Sequence, residues 1–145
     1  MAVRKGPLLD TSTAKGKHVE RRLHKDIVIW LATSGVEGRP HAVPVWFWWD
    51  GDSFLVYSVP GQKVKDIEAS PSVQLHLNTG SEGEDVVRID GDAKRLRRQP
   101  PAYKVPDYIR KYRALVKSYG WTPESFSRQY HVALRIRPTK IRTAD

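Results

Sequence analysis

The chain contains no cysteine, so disulfide bonds and thiolate metal sites are excluded, and a secreted disulfide scaffold is not expected. It has no apolar run of the roughly 18 residues that a membrane-spanning helix needs. The first ten residues contain no apolar segment typical of a signal peptide. These absences lead us to expect a soluble cytoplasmic protein without a membrane partner.

The common catalytic signatures are also missing: G-x-S-x-G, H-E-x-x-H, the P-loop and G-x-G-x-x-G. The five histidines show no metal-ligand spacing, so no metal site is expected. No pair of acidic residues suggests glycosidase chemistry, because Glu82, Glu84 and Asp85 share one polar loop. If the protein is an enzyme, we therefore expect a bound cofactor to supply the reactive chemistry.

What the chain does contain is typical of one globular domain spanning residues 1–145, with 39% apolar and 28% charged residues. We expect residues 1–17 to form a flexible N-terminal segment. The net charge is +9, and residues 94–117 carry nine Lys or Arg against Asp107 alone. Such an excess attracts anionic partners, whether nucleic acid, lipid or a phosphorylated small molecule.

Short apolar segments bounded by turn residues predict a mainly β protein. Residues 27–33 are β-branched and apolar and predict a buried strand. Residues 41–49 and 53–58 predict two further strands, joined by a hairpin turn at Asp50 and Gly51. The three strands are expected to form an antiparallel meander.

The remaining elements are predicted to be a short helix at 62–69, strands at 73–77, 86–96 and 131–138, and a long amphipathic helix at 105–119. Gly91 interrupts its strand and predicts a bulge or bend. Because the helices are few and the strands sequential, an antiparallel β-barrel with peripheral helices is favoured over a doubly wound sheet.

The second predicted strand has two unusual features. Pro44 cannot donate to a sheet ladder, so we expect an edge strand or a bulge that a ligand or a neighbouring subunit can approach. Residues 45–49 (VWFWW) place large apolar side chains on both faces of the strand. One face is expected to fill the barrel, and the other to form a homodimer interface, an aromatic wall for a flat ring, or both.

Residues 57–65 (YSVPGQKVK) predict a strand end, a glycine turn and a helix start. Free N–H groups at the helix N-terminus and the charges of Lys63 and Lys65 suit a phosphate group. The pattern also fits a surface helix with solvated lysines, so both interpretations stay open at this point.

Five short segments follow one another along the chain: residues 38–46 (GRPHAVPVW), 57–58 (YS), 63–67 (KVKDI), 71–75 (PSVQL) and 91–94 (GDAK). In this order and spacing they resemble the flavin/deazaflavin oxidoreductase superfamily. Residues 135–141 (RIRPTKI) are similar to the last strand of the F420-dependent branch, and the resemblance spans residues 18–142. It implies a six-stranded antiparallel split β-barrel of the FMN-binding, pyridoxamine-phosphate-oxidase type.

The resemblance also implies a homodimer with two cofactors at its interface. The implied cofactor-binding residues are Val43, Pro44, Val45, Trp46, Ser58, Gln62, Lys63, Lys65 and Asn78. Lys63 matches the family's phosphate-binding lysine, with Lys65 as a second basic group and Ser58 and Gln62 near the phosphate and ribityl chain. The backbone of residues 43–46 matches the strand that lies along the ring.

The cofactor implied is the deazaflavin coenzyme F420, with FMN as the alternative. The basic surplus favours F420, because its phosphate and oligoglutamate tail make it polyanionic. The chain lacks the arginine-rich phosphate clamp and the C-terminal substrate motif of true pyridoxamine-phosphate oxidases. Oxidation of vitamin B6 is therefore not expected.

The leading hypothesis is an F420-dependent oxidoreductase that transfers a hydride between the coenzyme and a small organic acceptor. An FMN-dependent oxidase or reductase and a non-catalytic flavin- or F420-binding protein are the alternatives. Tyr57 and His76 are candidate proton donors, although core packing explains them better. Nucleic-acid binding is disfavoured, because no base-stacking platform accompanies the basic residues.

Overall fold

A computed structural model of the protein describes residues 8–143. The strands are β1 (Val28–Ser34), β2 (Pro40–Trp46), β3 (Trp48–Trp49), β4 (Phe54–Ser58), β5 (Ser72–Leu77), β6 (Arg88–Leu96) and β7 (Val132–Arg142). The helices are α1 (Ala14–Lys25), α2 (Gln62–Ala69), α3 (Pro106–Ser118) and α4 (Pro123–Gln129), with one 3-10 turn at Ala102–Lys104. The prediction of a mainly β fold with peripheral helices is confirmed.

The strands form one antiparallel sheet in the order β2-β1-β5-β6-β7-β4-β3. Its two edge strands, β2 and β3, are consecutive in the chain and separated only by Phe47. A sheet whose opposite edges are joined by one residue must curl, so that the end of β2 lies beside the start of β3. The predicted antiparallel barrel architecture follows from this connection.

The prediction of six strands is wrong, because the run at 41–49 is divided at Phe47. The Phe47 N–H donates to Tyr112 Oη at 2.7 Å, and that oxygen lies 2.8 Å from the Phe47 carbonyl oxygen. Lys111 Nζ donates to the same carbonyl at 2.9 Å. The backbone of Phe47 is therefore satisfied by side chains of α3 instead of a sheet neighbour, which yields seven strands.

Other local predictions are confirmed. The short helix occupies the predicted residues 62–69 as α2. Pro44 lies on an edge strand, opposite Trp30 of β1. The sheet register shifts between Asp90 and Gly91, where an added Cβ would lie 2.8 Å from the Arg137 carbonyl oxygen. The Asp50 and Gly51 turn is present, with Gly51 at φ +95°.

Helix α1 was not predicted. Residues 1–7 of the segment expected to be flexible lie outside the described residues, whereas residues 14–17 form the first turn of this helix. Thr13 caps it, because its Oγ1 accepts a hydrogen bond from the Gly16 N–H at 3.0 Å. Val19 and Leu23 are buried against the sheet. Within residues 8–143, no helix is long and apolar enough to cross a membrane.

Two groups of buried side chains hold the fold together. The barrel core fills the inside of the curled sheet and is mainly aliphatic, with Ile29, Leu31, Leu75, Ile89 and Leu134 at its centre. The aromatic layer lies between the sheet and helices α3 and α4 and contains Leu55, Tyr57, Ala102, Tyr108, Tyr112, Val116, Phe126 and Ala133. Strand β4 contributes Phe54 and Val56 to the barrel core and Leu55 and Tyr57 to the aromatic layer, and its last residue, Ser58, is buried as well.

Candidate functional site

A cleft of about 380 Å³ opens where the aromatic layer meets β2 and the start of α2. Its lining residues are Pro44, Val45, Trp46, Tyr57, Ser58, Lys63, Tyr119, Trp121, Phe126 and Tyr130. Clefts of this size that combine aromatic walls with a few polar groups are typical small-molecule sites.

Lys63 and Ser58 provide the polar side chains at one part of this cleft. Lys63 is half-buried, and its Nζ donates a hydrogen bond to Ser58 Oγ at 2.8 Å. Burial lowers the pKa of Lys63, because the charged form loses hydration. In the part of the chain that the structure describes, Lys63 forms no ion pair with a carboxylate. A half-buried ammonium group without a carboxylate partner is suited to an anionic ligand group.

The N-terminus of α2 adds to this positive charge. No side chain in the described part of the chain caps the helix at Gly61, whereas α1 has its Thr13 cap. The first-turn N–H groups carry the partial positive charge of the helix terminus, and Lys63 lies in that turn.

Aromatic rings form the remaining walls. Trp46 stacks on Tyr112, with ring centroids 4.7 Å apart and planes within 3° of parallel. Tyr119 and Trp121 stack at 4.9 Å on either side of Gly120, whose φ of +76° allows the chain to turn after α3. Flat ring faces of this kind suit a planar conjugated ligand.

The two predicted proton donors, Tyr57 and His76, do not present a free polar atom to the cleft. Tyr57 lines the cleft, but its hydroxyl donates to the Pro100 carbonyl oxygen at 2.6 Å, and burial raises its pKa. His76 lies outside the cleft and stacks on Trp30 with a centroid distance of 6.1 Å. Tyr130 is instead half-buried at the cleft, and its hydroxyl has no hydrogen-bond partner among the described residues.

Five of the nine residues predicted to bind a cofactor line the cleft: Pro44, Val45, Trp46, Ser58 and Lys63. They come from β2, β4 and α2, and only the curled sheet brings these three elements together. Their grouping in one cleft is a property of the fold, while their binding role stays a prediction.

The other four predicted residues do not line the cleft. Val43 packs against the barrel core, and Lys65 is exposed to solvent. Gln62 Nε2 donates to Asp66 Oδ1 at 2.8 Å. Asn78 Oδ1 accepts a hydrogen bond from Trp30 Nε1 at 2.8 Å, away from the cleft.

The sequence analysis did not identify four aromatic residues that follow α3 as lining residues of the cleft. They are Tyr119, Trp121, Phe126 and Tyr130. A local signal was present, because Thr122 and Ser125 form a capping box with Pro123 in the first turn of α4. That signal predicts a helix, but not that its rings reach the cleft.

The profile of the pyridoxamine 5'-phosphate oxidase family matches residues 16–145. The chain therefore belongs to this family. A search of the curated proteins finds no match to the chain.

Solved structures share the fold at low sequence identity. An F420 reductase has a TM-score of 0.65 and 22% identity, with 86% of this chain and 96% of that chain covered. A conserved hypothetical protein from Mycobacterium tuberculosis has a TM-score of 0.70 and 20% identity over 89% of this chain and 83% of its own. The heme storage protein HutZ from Vibrio cholerae has a TM-score of 0.64 and 14% identity over 88% and 92%. The fold thus accommodates different ligands, and the choice among them depends on the site.

Proposed function

We propose that the protein binds coenzyme F420 in this cleft and transfers a hydride between it and a small, electron-poor organic acceptor such as an enone, an imine or a quinone-like molecule. The observation that carries the proposal is Lys63, a half-buried cation beside aromatic walls that has no carboxylate partner among residues 8–143. Membership of a family related to flavin chemistry and the fold shared with an F420 reductase support it.

The residues present fit the cofactor. Lys63, Ser58 and the uncapped start of α2 would hold its phosphate by charge and hydrogen bonds. β2 has one neighbour in the sheet, so its outer edge offers backbone N–H and C=O groups to the ring. F420, when bound, supplies a hydride donor or acceptor at C5 of its ring.

The protein contributes position, exclusion of water and a proton. Trp46 and Phe126, which stack at 5.4 Å, would form an apolar wall that excludes water and holds the acceptor beside the cofactor. The Tyr130 hydroxyl would donate the proton that, together with the hydride, completes a two-electron reduction. Bulk water then returns the proton to Tyr130 after product release.

The charge distribution supports F420 over FMN. Arg110, Arg113 and Lys117 are exposed on α3, and Tyr119 at the end of this helix lines the cleft. A carboxylate-rich tail leaving the cleft would meet this positive surface, which FMN would not use. The homodimer with cofactors at its interface belongs to the same proposal, since the edge of β2 is open to a second subunit.

Two lysines on the same helix provide the test. F420 is titrated into the unchanged protein, Lys63→Ala and Lys65→Ala, and binding is followed by fluorescence. We expect the Kd to rise by about 10- to 150-fold in Lys63→Ala, because a hydrogen bond to a charged group contributes about 1.5–3 kcal/mol. Lys65 is exposed and outside the cleft, so its variant serves as the control and should bind almost normally. Equal affinity of both variants would refute the phosphate assignment.

The reaction itself needs a second measurement. Reduced F420 is mixed with the protein and a panel of enones, imines and quinones, and its oxidation is followed by absorbance. Oxidation that depends on protein and acceptor supports the enzyme, whereas tight binding without oxidation by any acceptor favours the non-catalytic binding protein.

A further inference from the structure

Asp66 is a fully buried carboxylate on α2, the helix that carries Lys63. It accepts hydrogen bonds of 2.8 Å from Thr33 Oγ1 on β1, from His41 Nδ1 on β2 and from Gln62 Nε2 on α2. A buried carboxylate is costly unless hydrogen bonds replace its hydration. Its three donors come from three different elements, so the carboxylate joins them at one point.

The side chain of Asp66 stays ionised in the folded protein. Burial acts to raise the pKa of its carboxyl, but the hydrogen bonds from Gln62, Thr33 and His41 outweigh burial and leave the pKa below its ordinary value. The carboxylate is therefore ionised at neutral pH, and its hydrogen bonds are charge-assisted.

The hydrogen bond from His41 to Asp66 connects β2 to α2. Among the hydrogen bonds of residues 8–143, it is the one that joins α2 to β2. These two elements supply different walls of the cleft, Lys63 on α2 and residues 44–46 on β2. Because β2 is an edge strand with one sheet neighbour, this bond fixes a spacing that the sheet alone leaves open.

Gly35 shows that the fold makes room for this carboxylate. An added Cβ on Gly35, just after β1, would lie 2.9 Å from Asp66 Oδ1. The turn between β1 and β2 thus packs directly against Asp66, and glycine is needed there for close approach.

We propose that Asp66 is a positioning residue, which locks α2 against β2 through His41 and thereby places Lys63 at the cleft. The consequence for cofactor binding rests on the proposed function. The placement of Lys63 can be measured without any cofactor.

The first test compares Asp66→Asn with Asp90→Asn as the matched control. Asp90 is also a hydrogen-bonded carboxylate with a lowered pKa, held by Arg142 at 2.6 Å, but it lies on β6 and does not line the cleft. Lysine acylation is followed by mass spectrometry, and the rate at Lys63 is divided by the rate at Lys65. We expect this ratio to rise severalfold in Asp66→Asn and to stay constant in Asp90→Asn.

An unchanged ratio in folded Asp66→Asn would overturn the proposal, as would an equal change in Asp90→Asn. If Asp66→Asn does not fold, His41→Leu replaces it, because this variant removes the bond between α2 and β2 and keeps the donors Thr33 and Gln62. The same rise in the ratio is then required.

The second test is a double-mutant cycle for F420 binding with Asp66→Asn and Lys63→Ala. We expect Asp66→Asn to raise the Kd for F420 about tenfold. Lys63→Ala should raise the Kd little further when it is introduced into Asp66→Asn, because both changes remove the same contact. Full additivity would mean that Asp66 acts only through general stability and would overturn the positioning role. If the unchanged protein binds no F420, the proposed function fails, and the acylation ratio still decides on Asp66.

Discussion

The barrel core and the aromatic layer pack against opposite faces of β4, yet they differ in composition and in how completely they are covered. The barrel core is mainly aliphatic, and Ile29, Leu31 and Leu134 have no exposed surface. The aromatic residues at the cleft, which we call the rim, are only partly covered: Trp46, Trp121 and Tyr130 are half-buried, and Tyr119 keeps 58% of its surface exposed. The comparison indicates that the core maintains the fold, while the aromatic rim is left available to a ligand.

The largest expected effect comes from the barrel core. Leu134→Ala in β7 removes a fully buried side chain and should lower the free energy of unfolding by about 2–5 kcal/mol. Chemical denaturation measures the loss. Because Leu134 does not line the cleft, the variant should bind F420 normally while folded. A loss of affinity without a loss of stability would contradict the division between core and rim.

A smaller effect is expected where α3 meets the strand break at Phe47. Tyr112→Phe removes the hydroxyl that accepts from the Phe47 N–H and should cost about 1–3 kcal/mol, since a buried N–H loses its partner. Amide exchange at Phe47 should become faster. Tyr108→Phe is the control, because the buried Tyr108 hydroxyl has no partner among the described residues and its removal should not destabilise the protein. Equal losses in both variants would contradict this account.

The smallest effect on stability is expected at the rim. Tyr130→Phe removes a hydroxyl without a described partner, so the free energy of unfolding should change by less than about 0.5 kcal/mol. The rate of F420-dependent reduction should fall, while F420 affinity stays the same. Unchanged turnover in Tyr130→Phe would exclude this residue as the proton donor.

Much of the fold could be predicted because its signals are local. The turn and lysine pattern at 57–65 placed α2, and Pro44 placed an edge strand. The break at Phe47 could not be predicted, because it depends on the Tyr112 hydroxyl, 65 residues further along the chain. Helix α1 was missed, although Thr13 is a good N-cap and the buried residues Val19 and Leu23 have helical spacing.

The site was predictable where its residues are close in sequence. Ser58 and Lys63 lie on either side of one turn, so their contact follows from local structure. Gln62 and Lys63 are neighbours, but adjacent helical side chains diverge by about 100°, and Gln62 points to Asp66 instead of the cleft. The aromatic wall that follows α3 depends on long-range packing, because Tyr119 and Phe126 contact Trp46 of β2. Local sequence patterns do not encode such contacts.

The most direct test of the central claim is a titration of the purified protein with F420 and, in parallel, with FMN. We expect micromolar or tighter binding of F420, weaker binding of FMN, and an F420 affinity that decreases as salt is added, because the basic surface contributes. A preference for FMN would keep the cleft but transfer its chemistry to a flavin. Binding of neither molecule would contradict the claim that this cleft is a flavin or deazaflavin site.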